Sequence, residues 1–180
     1  MNTLLRHTIR LTLFALLSTF VTPASAQERE TAAETVQRNF DFPNANRPVL
    51  RVDNVDGSIT VTPHSGNDVR LVLRQTFRGR DRDALREAQE SIKLLVETRG
   101  DTLALVQDAP WRNREWRGDH WYRSSQSDCR CNATFDFELQ VPRNAALILT
   151  TVNNGDIAVR GMDGSVEANN INGGVELLDV

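Results

Sequence analysis

Apolar and polar residues alternate along most of the chain from residue 40 onward, a pattern typical of strands that bury one face. Turn-forming pairs such as Asp56-Gly57 separate the runs. The apolar positions of these runs are Leu50 and Val52; Ile59 and Val61; Val69, Leu71 and Leu73; Ile92, Leu94 and Val96; Leu103 and Leu105; Phe135, Phe137, Leu139 and Val141; Leu147 and Leu149. We therefore predict an all-β fold.

Residues 81–91 depart from this alternation. Leu85, Ala88 and Ile92 recur at helical spacing, and Asp83 is of a residue type that caps helix N-termini. We predict one short helix in this segment.

A nine-residue repeat occupies the last part of the sequence. Its glycines stand at positions 155, 164 and 173, each preceded by Asn or Asp and followed two residues later by Ile or Val. An earlier copy is Asp56-Gly57-Ser58-Ile59. Glycine adopts positive φ at little cost, so we predict structural turns at Gly57, Gly155, Gly164 and Gly173.

Two architectures fit this repeat. In a β-solenoid, coils of about 18 residues stack, and each buries its apolar side on the next. In an antiparallel meander or β-sandwich, each Asn-Gly pair instead closes a two-residue hairpin. The regular spacing favours the solenoid-like stack of short strands, and the meander or sandwich remains the alternative.

The first 26 residues differ from the rest of the chain. Arg6 and Arg10 precede a short apolar run at residues 11–21, and Ala24-Ser25-Ala26 forms a small-residue cleavage site. This order is typical of a secretory signal peptide, and the run is shorter than the roughly 20 residues of a transmembrane helix. We expect an exported protein, periplasmic or at the cell surface, without a transmembrane span. Residues 27–39 are expected to be a mobile leader, and residues 40–180 the β domain.

Composition narrows the function classes. The 180 residues, 39% hydrophobic and 25% charged, suffice for one folded domain. The formal net charge is −3, and removal of Arg6 and Arg10 with the signal peptide makes it −5, so we expect no nucleic-acid partner. No nucleophile elbow, phosphate loop or metalloprotease helix is present. We therefore expect no enzyme activity, no metal and no cofactor.

Residues 108–131 have no strand-like pattern and are interpreted as an inserted loop. It holds all three tryptophans and the one tyrosine of the chain, interleaved with arginines. Such a set can stack on sugars or other planar ligands, or it can fold over the end of the sheet as a lid. The residues of this possible ligand-binding site are Trp111, Arg112, Arg114, Trp116, Arg117, Trp121, Tyr122 and Arg123.

The two cysteines, Cys129 and Cys131, lie two residues apart near the end of this loop. Export favours oxidation, although Cα atoms two apart in a strand lie at the outer limit for a disulfide. A tight or intermolecular disulfide and two free thiols both remain open.

Several segments resemble the bacterial putative adhesin family of secreted domains. They are residues 50–61 (LRVDNVDGSITV), 141–143 (VPR), 150–157 (TTVNNGDI) and 166–175 (VEANNINGGV), within a resemblance that covers most of residues 40–180. It implies an exported, β-rich, solenoid-like domain without known catalytic residues. We accordingly expect a non-catalytic binding or scaffolding protein of the cell envelope, with an envelope or cell-surface protein or glycan as partner. The alternative is a glycan- or polymer-binding module using loop residues 111–123, and an envelope hydrolase is the remote third class.

Similar proteins run through more repeats than this chain, whose last residues, Val175 to Val180, read as a strand without a polar cap. We expect the sequence to be a fragment; the alternative is strand-edge pairing with a partner at the C-terminus.

Overall fold

The structure, a computed structural model, describes residues 29–44, 46–110, 116–117, 120–121 and 131–180. In these residues it is mostly β, with one short helix, α1 (Arg82–Ser91). The strands are β1 (Glu30–Asp41), β2 (Val49–Asp53), β3 (Ile59–His64), β4 (Asp68–Gly79), β5 (Lys93–Arg99), β6 (Thr102–Asp108), β7 (Trp116–Arg117), β8 (His120–Trp121), β9 (Cys131–Pro142), β10 (Ala146–Thr151), β11 (Ile157–Arg160), β12 (Val166–Asn170) and β13 (Val175–Leu178). The all-β prediction with one short helix is confirmed.

The strands form two large mixed sheets and one two-stranded sheet, β7–β8. The larger sheet has the order β1-β4-β9-β3-β11-β13, and the second has the order β12-β10-β2-β6-β5. Pairing is parallel from β9 to β13 and from β6 to β12. It is antiparallel where β4, β1 and β5 are added at the other edges.

The parallel strands are arranged in four equivalent layers. A layer is one strand of the five-stranded sheet and the strand of the six-stranded sheet that follows it in the chain. In spatial order the layers are β6 with β9, β2 with β3, β10 with β11, and β12 with β13. We number them first to fourth. The third and fourth are about 18 residues apart, since Ile157 pairs with Val175.

Apolar residues at equivalent positions of successive layers stack in columns between the two sheets. In the five-stranded sheet one column is Leu103, Leu50, Leu147 and Val166. In the six-stranded sheet a second column is Phe137, Ile59, Ile157 and Val175. The members from the first three layers are buried, so the hydrophobic core runs through the layers.

The antiparallel meander is wrong for the nine-residue repeat. Strand β10 pairs in parallel with β12, and β11 pairs in parallel with β13. The Asn/Asp-Gly segments therefore lead the chain from one sheet to the other, and they close no hairpin. The physical reason is that each short strand pairs edge to edge with the equivalent strand of the next layer, so that its apolar residues continue the columns between the two sheets.

Most of the expected mobile leader, residues 30–39, lies in a strand in the structure. From Glu30 onward the chain forms β1, an edge strand that pairs with β4 along its whole length, from Glu30 opposite Gly79 to Asp41 opposite Asp68. Only Val36 and Phe40 of its side chains pack against the core. Backbone hydrogen bonds hold this strand, and side-chain composition does not reveal them.

The N-cap of helix α1 is Asp81, two residues before the expected Asp83. The carboxylate of Asp81 accepts a hydrogen bond from the backbone N–H of Ala84 at 2.9 Å. This bond, followed by the contact with Arg80, lowers the pKa of Asp81. Ala84 and Ala88 are the buried residues of the helix, as the helical spacing of Ala88 predicted.

The repeat glycines lie at the corners between the two sheets, where successive layers nearly touch. Of the four predicted turn glycines, only Gly57 has positive φ, at 115°. A Cβ on Gly155 would lie 2.1 Å from the backbone carbon of Gly57, and one on Gly173 would lie 2.2 Å from the oxygen of Gly155. The expected reason, positive φ, is therefore wrong for Gly155, Gly164 and Gly173; these positions lack the space for a side chain.

We predict that Gly155→Ala lowers the free energy of unfolding by about 2–3 kcal/mol, since the added methyl forces two backbones apart. The measurement is urea-induced unfolding followed by circular dichroism. Gly174→Ala is the matched control, because its Cβ would meet only the Asp156 side chain at 3.3 Å. Its effect should stay within about 0.5 kcal/mol. Equal stability of the two variants would contradict close layer contact at this corner.

Candidate binding surface

A column of polar side chains lies beside the apolar columns, at the corner of every layer. It consists of Gln107, Asn54, Thr151 and Asn170 in the first to fourth layers, and it is called the polar column below. Each residue follows two inward-facing apolar residues at alternate positions of its strand. Gln107, Asn54 and Thr151 are fully buried.

Asn54 shows what the polar column does. Its Nδ2 donates hydrogen bonds to the carbonyl oxygen of Gly57 in its own layer at 3.0 Å and to that of Phe135 in the first layer at 2.9 Å. Its Oδ1 accepts the N–H of Val55 at 3.1 Å. One side chain thus satisfies backbone groups of two layers in a place where water does not reach.

The neighbouring members of the polar column also bond to an adjacent layer. Thr151 donates its hydroxyl to the carbonyl of Gly57 at 2.8 Å, one layer back. Gln107 accepts the N–H groups of Val55 and Asp56 in the second layer at 2.8 and 3.1 Å. The polar column therefore links consecutive layers through side chain-to-backbone hydrogen bonds.

Asn170, the fourth member, has an incomplete set of partners. Its Nδ2 donates to the carbonyls of Gly155 and Gly174 at 2.9 and 2.8 Å, as Asn54 does in the second layer. Its Oδ1 is buried and has no hydrogen-bond partner. In the first layer the corresponding oxygen, on Gln107, accepts backbone N–H groups of the next layer. In the second layer the corresponding oxygen, on Asn54, accepts the N–H of Val55 in its own layer, and the equivalent bond is missing at Asn170.

The fourth layer also leaves its apolar columns uncovered. Val175 and Leu177 continue the columns of Ile157 and Val159, which are fully buried, yet they are 46% and 41% exposed. Ile171, Leu178 and Val180 are exposed as well. We call the surface formed by Val175, Leu177 and the adjoining side of Asn170 the open face.

Strands β12 and β13 are edge strands of the two sheets on this side of the stack. Polar groups also lie beside the apolar columns: Arg160 and Glu176 form an exposed ion pair at 3.0 Å, and Asp156 accepts the N–H of Gly174 at 2.7 Å. Exposed apolar and polar side chains therefore lie side by side on this side of the stack.

The sequence-based site lies largely outside the described residues. Of the possible ligand-binding residues, the structure describes the backbone of β7 and β8, in which Trp116 pairs with Trp121 and Arg117 with His120. Trp111, Arg112, Arg114, Tyr122 and Arg123 lie outside. Cys131 begins β9 and is disulfide-bonded, whereas Cys129 lies outside the described residues. The expected signal peptide, residues 1–26, lies outside them too.

The described part of the chain contains neither a cluster of metal-binding side chains nor a membrane-spanning helix. No three His, Cys, Asp or Glu side chains lie close enough together there to hold a metal ion. None of its helices has the length and apolar composition needed to cross a membrane.

Sequence reasoning missed the polar column, although a signal for it exists. Each member ends the pattern apolar-x-apolar-x-polar, as in Leu50-x-Val52-x-Asn54, and in the second to fourth layers a corner glycine follows three or four residues later. A polar residue at the third inward position of a strand is a sign of a buried amide or hydroxyl that bonds the backbone.

Comparisons with known proteins give structural neighbours alone. No protein-family model matches the chain, and no curated protein matches it. A "putative cell adhesion protein" from Clostridium sporogenes has a TM-score of 0.41 and 9% sequence identity, over 82% of this chain and 59% of that chain. A "putative adhesin" from Bacteroides fragilis has a TM-score of 0.35 and 10% identity, over 79% of this chain and 61% of that chain. The chain thus spans about three fifths of the length of these structures.

We predict that Asn54→Leu lowers the free energy of unfolding by about 2–3 kcal/mol, because it leaves buried backbone groups of two layers without a partner. Asn169→Leu makes the same change at an exposed position of β12 and should alter stability by less than about 0.5 kcal/mol. Chemical denaturation of both variants checks this. If Asn54→Leu is as stable as the wild type, the polar column does not hold the layers together.

Proposed function

We propose that this protein is an exported, non-catalytic binding or scaffolding protein of the bacterial cell envelope, adhesin-like in its role and built on a short β-solenoid. Its four layers are the coils of that solenoid. The proposed binding event is the addition of one more layer to the open face.

The observation that supports this proposal best is the exposure of Val175 and Leu177 at the end of two otherwise buried columns. Full burial of an aliphatic side chain contributes roughly 1.5–3 kcal/mol. The open edges of β12 and β13 add unpaired backbone groups, to which an extended segment can bind by strand addition. Both contributions favour the same kind of partner.

The occupant we propose for the open face of this 180-residue chain is a strand–turn–strand segment with aliphatic residues at alternate positions. It pairs in parallel with β12 and β13 and continues the columns. The Oδ1 of Asn170 then accepts a backbone N–H from the turn of that segment, as Gln107 does between the first and second layers. A glycan does not supply this combination of aliphatic side chains and backbone donors.

Export to the envelope is supported by the N-terminal sequence, in which Arg6 and Arg10, a short apolar run and Ala24-Ser25-Ala26 follow in the order of a signal peptide. A non-catalytic role is supported by the absence of catalytic sequence motifs. The Trp/Arg loop at residues 111–123 remains a sequence-based prediction of a glycan- or polymer-binding site.

We predict that a fluorescent peptide copying residues 163–180, which is one layer of the required pattern, binds the protein saturably. Leu177→Glu should weaken this binding at least tenfold, because a carboxylate then ends the apolar column. Fluorescence anisotropy measures both affinities, and circular dichroism shows that the variant is folded.

Leu178→Glu is the matched control. Leu178 is 43% exposed, close to the 41% of Leu177, but it pairs with the exposed Arg160 on the outer side of the sheet. It should leave peptide affinity within about twofold. An equal loss of peptide affinity in both variants would indicate nonspecific hydrophobic adsorption and overturn the proposal. A different result would be that the peptide does not bind, while the protein self-associates and Leu177→Glu abolishes that self-association. In that case the occupant of the open face is a second copy of the chain.

A further inference from the structure

A cleft lies at the opposite side of the stack from the open face, between the antiparallel edge of the six-stranded sheet and β5. It has a volume of about 200 Å³. Strands β1 and β4 form one wall, and the end of α1 with the start of β5 forms the other. Its apolar lining consists of Val36, Leu73, Phe77, Ile92 and Leu94.

Gln75 places an amide among these apolar residues. In β4 the inward-facing positions are alternate residues, and Gln75 stands between Leu73 and Phe77 on that face. Its side chain lines the cleft, and only 5% of the residue is exposed. Among the described residues it has no hydrogen-bond or ionic partner, and its amide atoms are not sealed in the protein interior. The amide therefore opens onto the cleft.

An amide without a hydrogen-bond partner among apolar residues lowers the stability of the fold. Burying a polar group without a hydrogen bond costs stability, and a leucine would continue the alternation of Val69, Leu71 and Leu73. Asn54 and Gln107, the buried amides of the polar column, have all their bonds within the protein. Gln75 differs from them because its donor and acceptor are available to a ligand.

We propose that this cleft is a binding site for a small, uncharged, single-ring molecule with an amide or hydroxyl group. That group exchanges hydrogen bonds with the amide of Gln75, while the ring lies against Phe77 and the aliphatic side chains across the cleft. The volume sets the size class, since sites for drug-sized ligands measure roughly 300–1,000 Å³. One ring with one polar substituent fills the available space.

The charged residues at the rim of the cleft are the reason why we propose an uncharged ligand. Glu34 lies directly opposite Gln75 in the pairing of β1 with β4, whereas Arg38 and Lys93 place positive charges at the same rim. Charges of both signs at the entrance favour neither an anion nor a cation. The polar recognition is therefore assigned to the neutral amide at the floor of the cleft.

The test uses benzamide, which carries an amide on a ring, and toluene, which has a similar ring without a hydrogen-bonding group. Both are titrated into ¹⁵N-labelled full chain and followed by chemical shifts of the cleft residues. We expect saturable binding of benzamide. Gln75→Leu should weaken benzamide binding about five- to tenfold, the loss of one ligand hydrogen bond, and leave toluene binding unchanged or tighter. Gln37→Leu, the same change at an exposed position of β1, should affect neither ligand.

Thermal unfolding of the same variants separates a binding role from a structural one. If Gln75 serves a ligand, Gln75→Leu should raise Tm by about 2–4 °C, because a buried amide without a partner is removed. A fall in Tm, or no saturable shift of cleft residues with benzamide, would overturn the proposal. Equal loss of benzamide and toluene binding in Gln75→Leu would overturn it too. These outcomes are independent of the open face, which lies beside β12 and β13.

Discussion

The close approach of backbone to backbone at the corner between the two sheets is the constraint on which the parallel layers depend. Gly155 lies so near Gly57, and Gly173 so near Gly155, that no side chain fits between them. This approach excludes water from the corner, so the carbonyl groups there need donors from the protein. The polar column supplies them, and Asn54 bonds carbonyls of two layers at once. Glycine corner and polar column are therefore two parts of one arrangement.

The strands that bury one face were predictable from the sequence, because their apolar residues alternate with polar ones. Alternation placed Leu50, Val52, Ile59 and Val61 in strands, and all four are fully buried. The period of the glycines likewise indicated repeated chain reversal. The direction of pairing was less accessible, since Asn/Asp-Gly closes hairpins and also leads a chain between sheets. Strand β1 was not predicted, because its stability comes from backbone pairing with β4 and its side chains are mostly exposed.

The candidate sites were harder to predict than the strands. An exposed apolar residue such as Leu177 has the same sequence pattern as the buried Val159, and only the stacking of layers distinguishes them. Gln75 is a single polar residue in an apolar series, and Gln107, whose amide is bonded within the protein, has the same sequence pattern. In both cases the role of the residue depends on what its side chain faces in the folded protein. Those neighbours come from distant parts of the chain and cannot be read from the local sequence.

The layered arrangement has an evolutionary consequence. Each layer contacts the layers on either side of it, and its hydrogen bonds from the polar column reach no further than the adjacent layer. A tandem duplication of one unit of about 18 residues therefore inserts without repacking the remainder, provided that the corner glycine and the polar-column residue are copied with it. Length can then diverge rapidly among descendants while the chemistry of each corner is inherited intact. Sequence identity is a poor record of such ancestry, because selection preserves a spacing and a few small or polar residues.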